Sequence, residues 1–166
     1  MKNHLAKLFL AAVSLLLTAL ATAQAQEKAA IEAFARKNEA SCAFAYRNSP
    51  NAPLAKRRDP SWVKTILEGP SGKVVIVQAE QTRCKPVAQL ICGTGGCPVA
   101  VFSVRKDGVR KWLDQQVLGW KRVMDGKEPA LELQVHGSHC GGFGSEACIT
   151  MMNLRTGRQR TFKPRV

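Results

Sequence analysis

Beyond Pro60 the chain carries its apolar residues in short runs, most of them with a period of two. Ala130 to His136 sets Leu131, Leu133 and Val135 against Glu132, Gln134 and His136, the alternation of a strand with one buried and one wet face. Lys73–Glu80 (KVVIVQAE) and Pro98–Arg105 (PVAVFSVR) are rich in β-branched residues, which suit a pleated surface. Further strands are predicted at Val87–Ile91, Val109–Leu113, Val117–Val123 and Cys148–Leu154. Gly69-Pro70, Gly95-Gly96, Asp107-Gly108, Asp125-Gly126 and Thr156-Gly157 punctuate them, and such pairs are turn chemistry. Short strands joined by tight turns predict an antiparallel meander, curled into a small barrel or sandwich.

The earlier part of the chain has a different period. Gln26–Asn38 is made of good helix formers and places Ile31, Phe34 and Ala35 at i, i+3 and i+4, one apolar stripe of a helix. In the following SCAFAYR, Cys42, Phe44 and Tyr46 alternate, so the helix could give way to a strand there. Ser49–Pro60 holds three prolines and a basic cluster, the composition of an exposed connection. The closing TGRQRTFKPRV is basic and predicts an edge strand or a frayed end. The fold class expected is therefore α+β, mainly β, with the N-terminal helix packed on the sheet.

Before that helix, Lys2 and Lys7 precede an apolar run from Leu8 to Leu20, and small residues follow up to Ala25. This order is that of a secretory signal, and the run falls short of the ~20 residues that span a bilayer. Residues 1–25 are read as a signal peptide and 26–166 as a single disulfide-stabilised domain, in the periplasm or secreted. An uncleaved anchor is the alternative.

Removing Lys2 and Lys7 from the 25 basic residues leaves 23 against 12 acidic ones. So basic a surface draws anionic lipid, glycan or an acidic protein. Lys56, Arg57 and Arg58, in KRRDP, are candidate anion-binding residues. Nucleic acid is not expected, because the chain is exported and has no aromatic-and-basic RNA-binding motif. Trp62, Trp112 and Trp120 each neighbour a cation in sequence. Such residues can form a binding face, but alternation in strands more often buries the ring and exposes the cation.

The chain has six cysteines, and in an oxidising compartment an even number reads as a disulfide framework. The pairing favoured is Cys42 with Cys84, Cys92 with Cys97 across CGTGGC, and Cys140 with Cys148 across CGGFGSEAC; other connectivities remain open. In HGSHCGG, His136 and His139 flank Cys140. Imidazole and thiolate together suit zinc or copper, but an oxidised sulfur is no thiolate ligand, so no metal or other cofactor is expected. No GxSxG elbow, phosphate loop or paired-carboxylate motif occurs, and no catalytic residue is assigned.

CGTGGCPVAVFSVRKDG, then LGW, then LELQVHGSHCGG and a closing cysteine resemble a loosely defined group of small exported proteobacterial proteins with CGxGGC and HGxxCG loops. The resemblance runs from about Ile91 to Gly157. It implies structural roles for Cys92, Cys97, Cys140 and Cys148, and it carries no activity with it.

These features predict a non-enzymatic exported protein that binds an anionic envelope component or a protein partner, with Lys56, Arg57, Arg58, His136 and His139 as candidate contacts. A hydrolase-inhibitor or immunity-type protein is the alternative, and a metal or redox protein built on His136, His139 and Cys140 is a third. Purified from a secreting host, the protein should begin at Gln26 and present no free thiol. Intact mass and thiol titration under denaturing conditions check both.

Overall fold

The computed structural model describes residues 2–47, 55–144, 146 and 148–164. Helix α1 spans Lys2–Tyr46. Eight strands follow: β1 (Val63–Gly69), β2 (Gly72–Gln78), β3 (Cys97–Arg105), β4 (Gly108–Val117), β5 (Gly119–Asp125), β6 (Glu128–Val135), β7 (Cys148–Asn153) and β8 (Gln159–Phe162). They form two four-stranded antiparallel sheets, β1-β2-β3-β4 and β5-β6-β7-β8. Neither sheet closes on itself. The two pack face to face as a sandwich, with Ile76, Val101 and Leu113 of the first against Leu131, Leu133 and Met152 of the second.

The helix forms a third layer. Ala30, Ile31, Phe34, Ala35, Asn38 and Cys42 repeat every three or four residues and face inward, so the stripe read in the sequence continues one turn further than expected. Ile31 and Phe34 pack on Val75, Val77, Ala100 and Phe102, on the outer side of the first sheet. Strands β2 and β3 are thus covered on both faces, which explains their nearly unbroken apolar runs. The second sheet keeps one wet face, where Lys121 pairs with Glu132 at 3.1 Å. That face gives β6 its clean alternation.

Four local expectations change. Ser41–Tyr46 continues the helix instead of starting a strand, because Cys42 lies on the buried stripe. Val87–Ile91 is not a strand but part of a 3-10 segment, Lys85–Leu90. It is hemmed between Cys84 and Cys92, and Val87 is buried against the Cys42–Cys84 bridge. The edge strand β1 was not anticipated; a bulge between Thr65 and Leu67 breaks its alternation. The run Val117–Val123 divides at Leu118, where the chain steps from the first sheet to the second. Of the Ser49–Pro60 connection, Ser49–Leu54 lies outside the described residues, while β8 is the edge strand expected of the tail.

Because the strands run as a meander, the chain's connections sort to two ends. The β1–β2, β3–β4, β5–β6 and β7–β8 turns gather at one, the hairpin end. At the other lie all three disulfides, Cys42–Cys84, Cys92–Cys97 and Cys140–Cys148. Helix α1 runs between them, from Glu27, paired with Lys73 at 2.9 Å at the hairpin end, to Cys42 at the cystine end. Gly96 has φ +93°, and a Cβ there would fall 1.9 Å from the Val117 carbonyl, so the glycine of CGTGGC is required by close backbone approach.

Cys42–Cys84 encloses a 42-residue separation, against 5 for Cys92–Cys97. The double variant Cys42→Ala/Cys84→Ala should lose about 4 kcal/mol and Cys92→Ala/Cys97→Ala about 2 kcal/mol, from loop-closure entropy. Urea unfolding of the two variants checks the order.

Candidate functional site

The cystine end brings together most of what the described surface offers to a partner. Six large apolar side chains are exposed among the described residues: Phe44, Leu90, Leu118, Met124, Phe143 and Phe162. All except Met124 lie at this end. The most prominent is Phe143, 84% exposed on the loop between β6 and β7.

That loop is braced from several sides. His136 caps a 3-10 turn, Gly137–Cys140, its Nδ1 accepting from the Ser138 N–H at 3.3 Å and lying 2.9 Å from the Ser138 hydroxyl. Gly137 N–H donates to the Gly144 carbonyl at 3.2 Å, Gly142 N–H to the Gly137 carbonyl and Glu146 N–H to the Phe143 carbonyl, both at 2.9 Å. Cys140–Cys148 closes the base, and Glu146 pairs with Lys163 at 2.6 Å beyond β8. Phe162, 38% exposed, stands on that same strand end, opposite Ile149 in the register. The phenyl ring of Phe143 therefore projects from a segment, Gly137–Gly144, that these backbone hydrogen bonds tie together.

On the helix side of the same end sits a second polar group. Arg58 donates from Nε to Glu39 Oε1 at 2.7 Å and from Nη1 to Glu32 Oε1 at 2.6 Å, and its guanidinium lies 4.5 Å from the Trp62 ring centre. Its side chain is 19% exposed and that of Glu39 12%. The Glu39 hydrogen bond, with help from Glu32, raises the Arg58 pKa against the opposing effect of burial. Burial alone would raise Glu39; Arg58 and the Arg83 N–H outweigh it and hold the carboxyl below its ordinary value. Asp59 is held well below the usual range by Lys85, then by the Ser61 hydroxyl and N–H.

Each residue singled out from the sequence now has a place. Lys56 and Arg57 are exposed. Arg58 joins the helix to the segment before β1 as a structural clamp. His136 serves as a cap, and His139 is exposed beside it. Both groups stand at one end of the sandwich, but on different layers. Trp62, Trp112 and Trp120 are half-buried; Trp120 donates to Gln78 Oε1 at 3.0 Å between the sheets, with Lys64 5.5 Å from its ring.

Among the described residues one trio has metal-ligand spacing, Glu80 with Cys92 and Cys97. Its two sulfurs are bonded to each other, so neither offers a thiolate. Phe143 was missed, although its signal is visible: a bulky aromatic among glycines, in a cystine loop where turn geometry asks for small residues. Compared with family models, curated proteins and solved structures, the chain matches none.

Glu39, Asp59 and Glu146 all have lowered folded-state pKa values. A depressed carboxyl contributes stability above its unfolded pKa and loses it as pH falls through the folded one. The unfolding free energy from these groups should thus hold steady above about pH 5 and decline below about pH 4. Glu39→Gln should flatten part of that decline. Denaturant titrations at stepped pH measure both.

Proposed function

We propose that this is an exported, non-catalytic binding protein whose cystine end engages an acidic protein partner. The observation that carries the reading is Phe143: a large apolar side chain held in water by a braced loop. Its exposure contributes nothing to folding, and a ring of this size is the kind of anchor that dominates interface energetics. Fixing the loop beforehand removes the ordering cost from the binding step. The exposed Lys56, Arg57 and His139 at the same end, within a mature chain of 23 basic against 12 acidic residues, favour a partner of opposite sign.

A narrower form of this reading is a hydrolase inhibitor, in which Phe143 enters the cleft of an acidic enzyme. The positive charge also favours a second reading, docking on an anionic envelope lipid or glycan by the surface as a whole.

Affinity capture from envelope extract, with wild type and Phe143→Asp compared, separates these. Wild type should recover one stoichiometric acidic protein, and the variant should lose at least tenfold of it, as loss of a central aromatic anchor of about 2 kcal/mol or more implies. The variant's unfolding midpoint should stay unchanged, since the ring packs on little. Equal recovery by both forms overturns the reading. Salt-sensitive binding to anionic vesicles that ignores Phe143→Asp moves the function to the lipid surface.

A further inference from the structure

We propose that the hairpin end holds a second site, a cleft for an acidic sugar: a hydroxyl-rich ring bearing a single carboxylate. The cleft opens where the β1–β2, β3–β4 and β7–β8 turns converge between the sheets. It has two lobes of about 210 and 250 Å3, with Ser103, Arg105 and Trp112 bordering both. Each lobe has the scale of one small ring with its substituents.

Several polar groups here have no partner among the described residues, although the Thr156 hydroxyl accepts from the Arg158 N–H at 3.3 Å. Ser103 is 3% exposed, and its hydroxyl has no hydrogen bond to any described residue. Neither has the Trp112 indole N–H, nor the Arg110 guanidinium. Arg105 donates once, to the Arg155 carbonyl at 2.8 Å, which aims the group while leaving donors spare. Asp107, in the first lobe, has no cation within salt-bridge distance among the described residues. Polar groups that line a concavity unpaired are the ordinary makings of a ligand site, because a ligand can satisfy them all at once.

Their charges choose the ligand. Arg155 and Lys73, at the second lobe, are already committed to Glu128 and Glu27, both at 2.9 Å, and Glu68 lines that lobe without a salt bridge among the described residues, so an anion is directed to the first lobe. In the first lobe Arg105 and Arg110 face Asp107, leaving one positive charge unanswered. A monoanion balances it. A doubly charged phosphate would meet Asp107 as a like charge, and a neutral ring would leave a guanidinium without its counterion. A carboxylate also matches the planar fork of arginine. Asp107 and the Ser103 and Thr156 hydroxyls can then take up ring hydroxyls, and the indole wall offers an apolar surface to C–H groups.

The walls are fixed in advance. Gly157 has φ +74°, and a Cβ there would fall 2.7 Å from the Trp112 ring, so the β7–β8 turn lies directly on the indole. Gln159 Nε2 donates to the Trp112 carbonyl at 2.8 Å. This site lies at the opposite end from Phe143 and stands independently of it.

The indole Nε1–H resonance of Trp112, assigned through Trp112→Phe, reports on the cleft by 15N NMR. Titration with D-glucuronate should shift it saturably; D-glucose and inorganic phosphate should act at least tenfold more weakly. A uronate oligosaccharide that shifts it as free glucuronate does marks a site for a chain end, and one that alone shifts it marks a polymeric glycan; both support the cleft. Arg110→Ala, an exposed position, should weaken glucuronate at least tenfold, whereas Phe143→Asp should change nothing. Asp107→Asn should let phosphate bind more tightly. The proposal is overturned if neither sugar acid shifts the resonance, if Arg110→Ala binds as wild type does, or if glucose or phosphate equals glucuronate, the last marking a plain anion site.

Discussion

Strands β2 and β3 carry apolar side chains on both faces, so the first sheet needs a separate layer on each side. The second sheet supplies one through Leu131, Leu133 and Met152. Helix α1 supplies the other with a narrow stripe led by Ile31 and Phe34. A single helix over a four-stranded sheet is a small cover, and its binding is reinforced where it would peel away. Cys42–Cys84 joins its C-terminal part covalently to the segment after β2. The Glu32–Arg58–Glu39 cluster joins its middle to the segment before β1. Glu27 and Lys73 close the hairpin end. Much of the ion pairing in this basic protein thus serves to hold one layer in place.

The same meander that builds the sheets divides the surface between two kinds of chemistry. Three two-residue turns and the five-residue β7–β8 turn at the hairpin end leave short loops, whose contribution is charge and backbone geometry around a cleft. Longer connections at the cystine end need cross-links to stay ordered, and those cross-links let apolar side chains such as Phe143 stand in water without the loop collapsing around them. The disulfides are therefore more than generic reinforcement. They sit where the chain departs furthest from regular hydrogen bonding, since a strand ladder already constrains the rest.

Much of this was legible in the residues. Ala130–His136 declared its strand because one face is wet and the other buried, and the stripe at Ile31, Phe34 and Ala35 declared the helix. The cysteine pairs could be read because each local pair closes a glycine-bearing loop between strands. Legibility failed at edges and at short apolar runs. In β1 a bulge removes the period, and Val87–Ile91 has the composition of a strand but no neighbouring edge to pair with. Arg58 looked like a surface cation because KRRDP is polar throughout; its burial comes from Glu32 and Glu39, 26 and 19 residues away.

What the sequence determined by itself is whatever depends on neighbours along the chain: the period of each element, the turn chemistry between strands, and the cysteine-bearing loops. What only the tertiary structure decided is which turns share an end and which side chains are left over. Arg105, Arg110, Trp112 and Thr156 come from two hairpins in different sheets, and no local pattern announces their meeting. Phe143 is visible as a residue, but its exposure is a property of the folded loop alone. Local periodicity encodes which face is buried; the register and stacking of two sheets set what each face, once buried, leaves exposed at its ends.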